Sequence, residues 1–567
     1  MARMPSWLGE EVDVCIVGSG AGGAPMALEL AKAGARVVVL EKGPWYKEGV
    51  DFDHDEIRNS RRAMWVPWIS DEPHLLKTLK DSEPVPSTSG WIANCVGGGT
   101  IHMSGFFYRL HPDDFRLRSR YGELAGSTLE DWPIGYEELA PWYDKVEREV
   151  GVSGLAGGHP FEPPRSGPYP QPPLDENPLS GLVDQGARKL GWHPFKTPRA
   201  VLSTSVGERS ECVYCDFCGS YGCESGAKGS TLAALLPRAL ATGRCELRPH
   251  SMAFEIATDA EGRATAVRYF DAAGAIVEQK AKVVVVSATS IESARLLLNS
   301  TSARSPTGLA NSSGLVGKNL TFSTLAKGYG VFERGKLPEA MRDPHTIHFL
   351  QRSLRDHYFL AERKGEYDKG GTLNFLLPHR NPIYTAQRLS GRQQPALWGA
   401  ALQKALHRFY HEVHELEFEV FGEYLPNPGT AVTVDGKVRD RWGIPVATIH
   451  LFNHPEDLRN SERVLQHGLE VFKAAGAAET GIETVGGTTF VLQHGTCRFG
   501  DNPAASVLNR FCQAHDVPNL YVVDGSFMPT SGGVPTTLTI MANSFRVAAH
   551  LVERLKAGGG EVDAGGR

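Results

Sequence analysis

Residues 12–17, VDVCIV, form an apolar run interrupted only by Asp13, as a central parallel strand requires. Gly18-Ser19-Gly20-Ala21-Gly22-Gly23 follows without a gap, then PMALELAKAGA reads as a helix ending at Gly34. VVVLEKG reads as a second strand with Glu41 at its C-terminal end. Together these segments make a βαβ unit whose glycines let the backbone approach a pyrophosphate, with the helix N-terminus offering free N–H groups to that anion. Glu41 lies about twenty residues beyond the glycines, where a carboxylate can bind ribose hydroxyls. The unit predicts dinucleotide binding through Gly18, Gly20, Gly23 and Glu41. It does not by itself separate FAD from NAD.

At 567 residues, the chain is too long for one simple core, so two domains or one interleaved body is expected. A net charge of -6 gives no basic footprint for nucleic acid. No apolar run is long enough to span a bilayer. The first residues reach the buried-strand pattern almost at once, so no secretory signal is expected and the cytoplasm is the default. Export together with a signal-bearing partner, to the periplasm, would leave the same sequence. Five of the nine cysteines are scattered, and the other four cluster, which is not the pattern of a secreted disulfide framework.

Three further segments settle the cofactor. Residues 93–109 read ANCVGGGTIHMSGFFYR, residues 283–300 read VVVVSATSIESARLLLNS, and residues 495–545 run from GTCRFGDNPAAS through LYVVDGSFMPTSGGVPTTLTIMANSF. With the N-terminal unit, they resemble the glucose–methanol–choline (GMC) family of FAD-dependent oxidoreductases, in the expected order over most of the chain. The resemblance implies an α/β chain (α+β overall), with a Rossmann-like FAD-binding domain interleaved with an antiparallel-sheet substrate domain. The FAD-binding domain is expected over 1–150, 205–310 and 486–567, and the substrate domain and lid over 151–204 and 311–485.

The resemblance also implies flavin-site roles for Gly98, Thr100, His102, Asp524, Gly525 and Thr537. LYVVD reads as a strand ending at Asp524, and a helix opening near Thr537 would direct its positive end at the reduced flavin. In relatives with a histidine at the position of His102, the imidazole can bond covalently to the flavin. Other relatives keep the histidine without that bond, and both states stay open.

Residues 212–223, CVYCDFCGSYGC, place four cysteines as C-x2-C-x2-C-x4-C. Cys212, Cys215, Cys218 and Cys223 resemble the cysteine run of bacterial ferredoxins with one extra residue in the last gap. A four-cysteine zinc site is the main alternative, although structural zinc more often uses two separated knuckles. Within the family, a subgroup acting on sugars and sugar acids carries an iron–sulfur cluster here, followed by a turn like Gly226-Ala227-Lys228. The expectation is a 3Fe-4S or 4Fe-4S cluster, with zinc as the alternative. Such a cluster could pass electrons singly from the flavin to an external acceptor, a cytochrome, quinone or similar carrier, with a small accessory subunit as a further partner.

The family oxidises CH–OH groups with a histidine base, steadied by a second His or Asn. The histidine normally stands three residues before the GTC glycine, where this chain has Leu492, with His494 two residues later. The usual SGGVNPT reads Ser531-Gly-Gly-Val-Pro535-Thr-Thr, with Pro535 in place of Asn. His494 is the candidate base, because two residues along a strand restore the same face. Loss of the pair with a substitute such as His102, or loss of alcohol oxidation altogether, are the alternatives.

Elsewhere, a helix is expected from Gly135 to Glu149, and residues 159–178 read as a Pro- and Gly-rich surface excursion. His407, His411 and His414 could share a helical face, read as a solvated helix end rather than a metal site. The tail KAGGGEVDAGGR is expected to be disordered. The function expected is oxidation of an alcohol, sugar or polyol by hydride transfer to FAD, with electrons leaving through the cysteine cluster. An oxygen-using oxidase with structural zinc, and an electron-transfer subunit with a degenerate catalytic pair, are the alternatives.

Overall fold

A computed structural model describes residues 6–60, 64–343, 349–360, 367–392 and 394–557. The expected βαβ unit is present as the strand Val12–Val17, the helix Gly23–Lys32 and the strand Val37–Leu40, with both strands parallel in one sheet. Its tight turn depends on absent side chains. A Cβ on Gly23 would lie 1.9 Å from the Gly18 carbonyl oxygen, and one on Gly18 would lie 2.2 Å from that of Ser287.

The sheet continues on both sides of this unit. Cys245–Arg248 pairs parallel with Val37–Leu40, and the second half of the long strand Ile276–Val286 pairs parallel with Val12–Val17. Leu520–Val522 adds a further parallel strand against Val284–Val286. The first half of the long strand instead joins the antiparallel hairpin Met252–Thr258 and Ala264–Phe270. VVVV at 283–286 is buried in this sheet, and the helix Ser290–Asn299 follows it.

A second, six-stranded sheet is antiparallel throughout, and its edge strands are Phe195–Lys196 and Glu479–Thr488. The strand Thr324–Glu333 runs between Val413–Gly422 and Glu479–Thr488. Side chains alternate faces along a strand, and the two faces here have different partners. Ala326, Leu416, Phe418 and Val420 pack with Leu465, Leu469 and Phe472 of the helix Pro455–Ala475. Leu325, Lys327, Glu419 and Phe421 lie on the other face, against the flavin-side half of the molecule.

The helix expected from Gly135 runs Tyr136–Val150, and the one expected near Thr537 runs Thr537–Ala557. One expectation is corrected. The helix carrying His407 and His411 stops at His411, and His414 is a buried residue of the strand Val413–Gly422, its Nε2 3.0 Å from the Arg342 carbonyl. The three histidines therefore share no helical face. Of the expected disordered tail, residues 558–567 lie outside the described residues. Among the described residues, no helix is long and apolar enough to cross a membrane.

Candidate active site

One cavity of about 440 Å³ runs from the glycine turn to the substrate sheet. At one end, it is lined by Gly18, Ser19, Gly20 and Glu41. A Cβ on Gly20 would meet no protein atom nearer than 3.8 Å, so a side chain there would occupy the cavity itself. Glu41 is buried, accepting hydrogen bonds from Ser19 Oγ at 2.6 Å and Gly43 N at 3.0 Å. Burial raises its pKa, and the bonds from Ser19 and Gly43 oppose that rise. Gly97 N donates to Ser19 Oγ at 2.9 Å, joining the glycines of VGGGT to the first turn.

The middle of the cavity is lined by Gly98, Thr100, His102, Asp524, Gly525 and Thr537. Asp524 is fixed by Ser293 Oγ and by Ser526 N at 2.8 Å. Thr537 begins the terminal helix, so unsatisfied N–H groups and the positive end of that helix face the cavity. The His102 ring stacks on Trp65 with centroids 5.4 Å apart, and its Nε2 is 3.0 Å from the Ile92 carbonyl. A proton on Nε2 satisfies that carbonyl and fixes the tautomer. The glycine-lined end, the carboxylate and the helix N-terminus suit FAD.

At the other end, Leu492 and Pro535 line the cavity, beside Gln493 and Thr536. His494 does not. It is fully buried in the strand His494–Thr496, with Nε2 2.7 Å from Thr536 Oγ1. Leu492 N bonds to the Thr489 carbonyl, closing a turn ahead of that strand, so strand alternation does not carry Leu492's face to His494. Burial lowers the His494 pKa to about 3, and the Phe322 backbone works in the opposite direction. The imidazole is neutral at ordinary pH.

The loop bearing Pro535 is anchored from behind by buried ionisable groups. Ser531 N and Oγ donate to Glu423 at 2.7 and 2.9 Å. Gly533 N donates to the Tyr358 hydroxyl at 3.1 Å, and that hydroxyl donates to Asp114 at 2.6 Å. Lys369 Nζ lies 3.0 Å from Asp114, and neither side chain is exposed. Burial raises the Glu423 pKa to about 7, against the pull of Lys369. None of this network announces itself in the sequence, because its members come from four distant segments.

The cysteine loop abuts the same cavity. Ser220, which lines it, donates its N–H to the His102 carbonyl at 2.8 Å. Lys228 is buried and donates to the carbonyls of Ile101, Cys218 and Tyr221 at 3.1, 2.8 and 2.8 Å. The loop folds through left-handed non-glycine residues at Tyr214, Asp216 and Ser220. Burial raises the Cys218 thiol to about 12 and Cys212 to about 11, with Lys228 lowering the first and a bond from Tyr214 N the second. Like-charge interactions among the thiols add to the rise. These shifts favour the protonated thiols, and the four sulfur donors of the loop stay a candidate set by residue type and spacing alone. Among the described residues, however, no group of three or more His, Cys, Asp or Glu side chains is arranged to hold a metal ion.

Residues 87–324 and 426–544 match the family GMC oxidoreductase, and residues 11–49 match FAD binding domain. The chain is 34% identical to 2-methyl-1,2-propanediol dehydrogenase of Mycolicibacterium austroafricanum, over 96% of each chain. It is 30% identical to 6'''-hydroxyparomomycin C oxidase of Streptomyces lividus, over 96% of this chain and 92% of that one. Pyridoxine 4-oxidase from Mesorbium loti shares the fold, with a TM-score of 0.59 over 95% of this chain and 99% of that one, at 16% identity.

Proposed function

The chain belongs to the GMC oxidoreductase family and is an FAD-dependent oxidoreductase, and from that premise we propose that it is a dehydrogenase oxidising a CH–OH group of an alcohol, sugar or polyol to a carbonyl. The observation that carries this reading is the continuity of one cavity. It joins the glycine turn, the N-terminus of the terminal helix, the Leu492–Pro535–Thr536 wall and Ser220 of the cysteine loop. Bound FAD would supply the acceptor for the hydride leaving the substrate carbon.

The hydroxyl proton is the protein's part. In this reading, Thr536 and His494 act as a pair. With its proton on Nδ1, His494 accepts a hydrogen bond at Nε2 from Thr536 Oγ1, 2.7 Å away. Thr536, a residue of the cavity wall, would then accept the substrate proton on Oγ1 while its own proton passes to the imidazole. Leu492 and Pro535 keep that wall apolar and exclude water around the reacting atoms.

Cys212, Cys215, Cys218 and Cys223 would hold an iron–sulfur cluster, the exit for single electrons to an external carrier. Lys228 is buried beside them, and the negative charge of thiolates there would oppose the lowering of its pKa by burial. Supporting this reading are the loop's contact with the His102 backbone and the spacing of the four thiols.

The test compares steady-state turnover with oxygen and with a one-electron dye, on protein whose iron and sulfide have been measured. Dye-dependent turnover on iron-containing protein is expected. Oxygen-dependent turnover on iron-free protein would overturn the dehydrogenase reading.

A further inference from the structure

Two strands of the substrate sheet bring an ion pair into the cavity. Lys327 stands directly opposite Glu419 across the strand pair, flanked by the apolar pair Leu325 and Phe421, and all four residues line the cavity. Lys327 Nζ is 3.6 Å from Glu419 Oε2, longer than a hydrogen bond, so each charge retains capacity to bond a third group. The lysine side chain is a third exposed, at 33%, and the glutamate's is 12% exposed. Burial works against the charge on Lys327, but Glu419 and Glu417 outweigh it, so the amine stays protonated.

We propose that Lys327 and Glu419 form a subsite for a second hydroxyl group of the substrate, making this a site for neutral diols and polyols rather than simple alcohols. The inference deepens the alcohol-oxidising reading above and rests on it. A hydroxyl both donates and accepts, so it can receive a bond from Lys327 Nζ while giving one to Glu419. A substrate carboxylate would meet Glu419, and a substrate amine would meet Lys327. Each half of the pair repels one sign of charge, so the pair selects for a polar, uncharged ligand. Without a hydroxyl at that point, a bound alkyl chain would strip water from both charges and return nothing, which is the source of discrimination. Leu325 and Phe421 supply the apolar contact that a carbon skeleton needs on either side.

The test uses 1,2-propanediol and 1-propanol on the FAD-loaded enzyme, with anaerobic flavin reduction as the kinetic readout. Perturbation of the flavin absorption by each compound gives binding separately from turnover. The wild type is expected to favour the diol, chiefly through KM. Lys327→Met should raise the diol KM by on the order of tenfold, with little change in kcat or in the 1-propanol KM. Glu419→Gln should give a smaller shift in the same direction. Equal treatment of the two compounds by the wild type, or an equal loss on both in Lys327→Met, would overturn the subsite. If neither compound reduces the flavin, the alcohol-oxidising reading fails for such small substrates. The subsite is then decided by the binding titration, where diol affinity unaffected by Lys327→Met overturns it.

Discussion

At the scale of single residues, the site depends on atoms that are either missing or hidden. Gly23 faces the Gly18 carbonyl with room for a hydrogen only. Gly23→Ala should therefore distort the first turn, costing about 1–3 kcal/mol as an overpacked position and lowering FAD occupancy. Flavin content and thermal unfolding of the purified variant would show both. The proton pair is tested at Thr536. Thr536→Val keeps the shape but removes the hydroxyl, and flavin reduction should slow by roughly 100-fold or more, with diol binding little changed. A near-normal rate in that variant would exclude the threonine. Glu423 gives a pH signature. Its folded pKa is raised to about 7 by burial. Its contribution is therefore complete below the ordinary carboxyl range and is lost as pH rises through about 7, worth about 3 kcal/mol in all. Melting temperature should fall between about pH 5 and pH 8, and Glu423→Gln should flatten part of that fall. Glu417, also raised to about 7, adds a fall of the same sign in the same window.

At the scale of elements, what the sequence discloses depends on how local the physical demand is. The βαβ unit is legible because every steric requirement of its turn falls within one short segment, from Gly18 to Gly23. Strand and helix are likewise legible at 283–299 and at 520–557, where apolar runs end in small residues. Two features stay hidden for opposite reasons. His494 looks as though it shares a face with Leu492, but a turn closed by the Thr489 carbonyl separates them, and a local backbone bond of that kind leaves no mark in residue type. Lys327 and Glu419 meet only through the register of two strands joined by a long stretch of chain, so neither residue stands out alone. The cysteine loop lies between these cases, its spacing plain and its contact with the His102 backbone visible only in three dimensions. Cys218→Ser should lower iron and sulfide content while FAD is retained, because Ser220 alone of the cysteine loop lines the flavin cavity. Unchanged iron content in that variant would remove Cys218 from the proposed ligand set.

At the scale of the whole molecule, two sheets with different logic enclose one cavity. The mainly parallel sheet presents strand ends, tight turns and a helix N-terminus, which suit a large anionic cofactor. The antiparallel sheet presents a face of alternating side chains, which suits recognition of a small molecule. The cysteine loop joins the first of these where Ser220 meets His102. In this arrangement, the substrate would enter against the second sheet and electrons would leave past the first. The most direct test is an anaerobic titration of the purified protein with 1,2-propanediol, counting electrons taken up while the flavin absorption is followed. The account predicts a bleached flavin and more electrons per chain than the pair a flavin can store. A flavin that stays oxidised at saturating diol would contradict it.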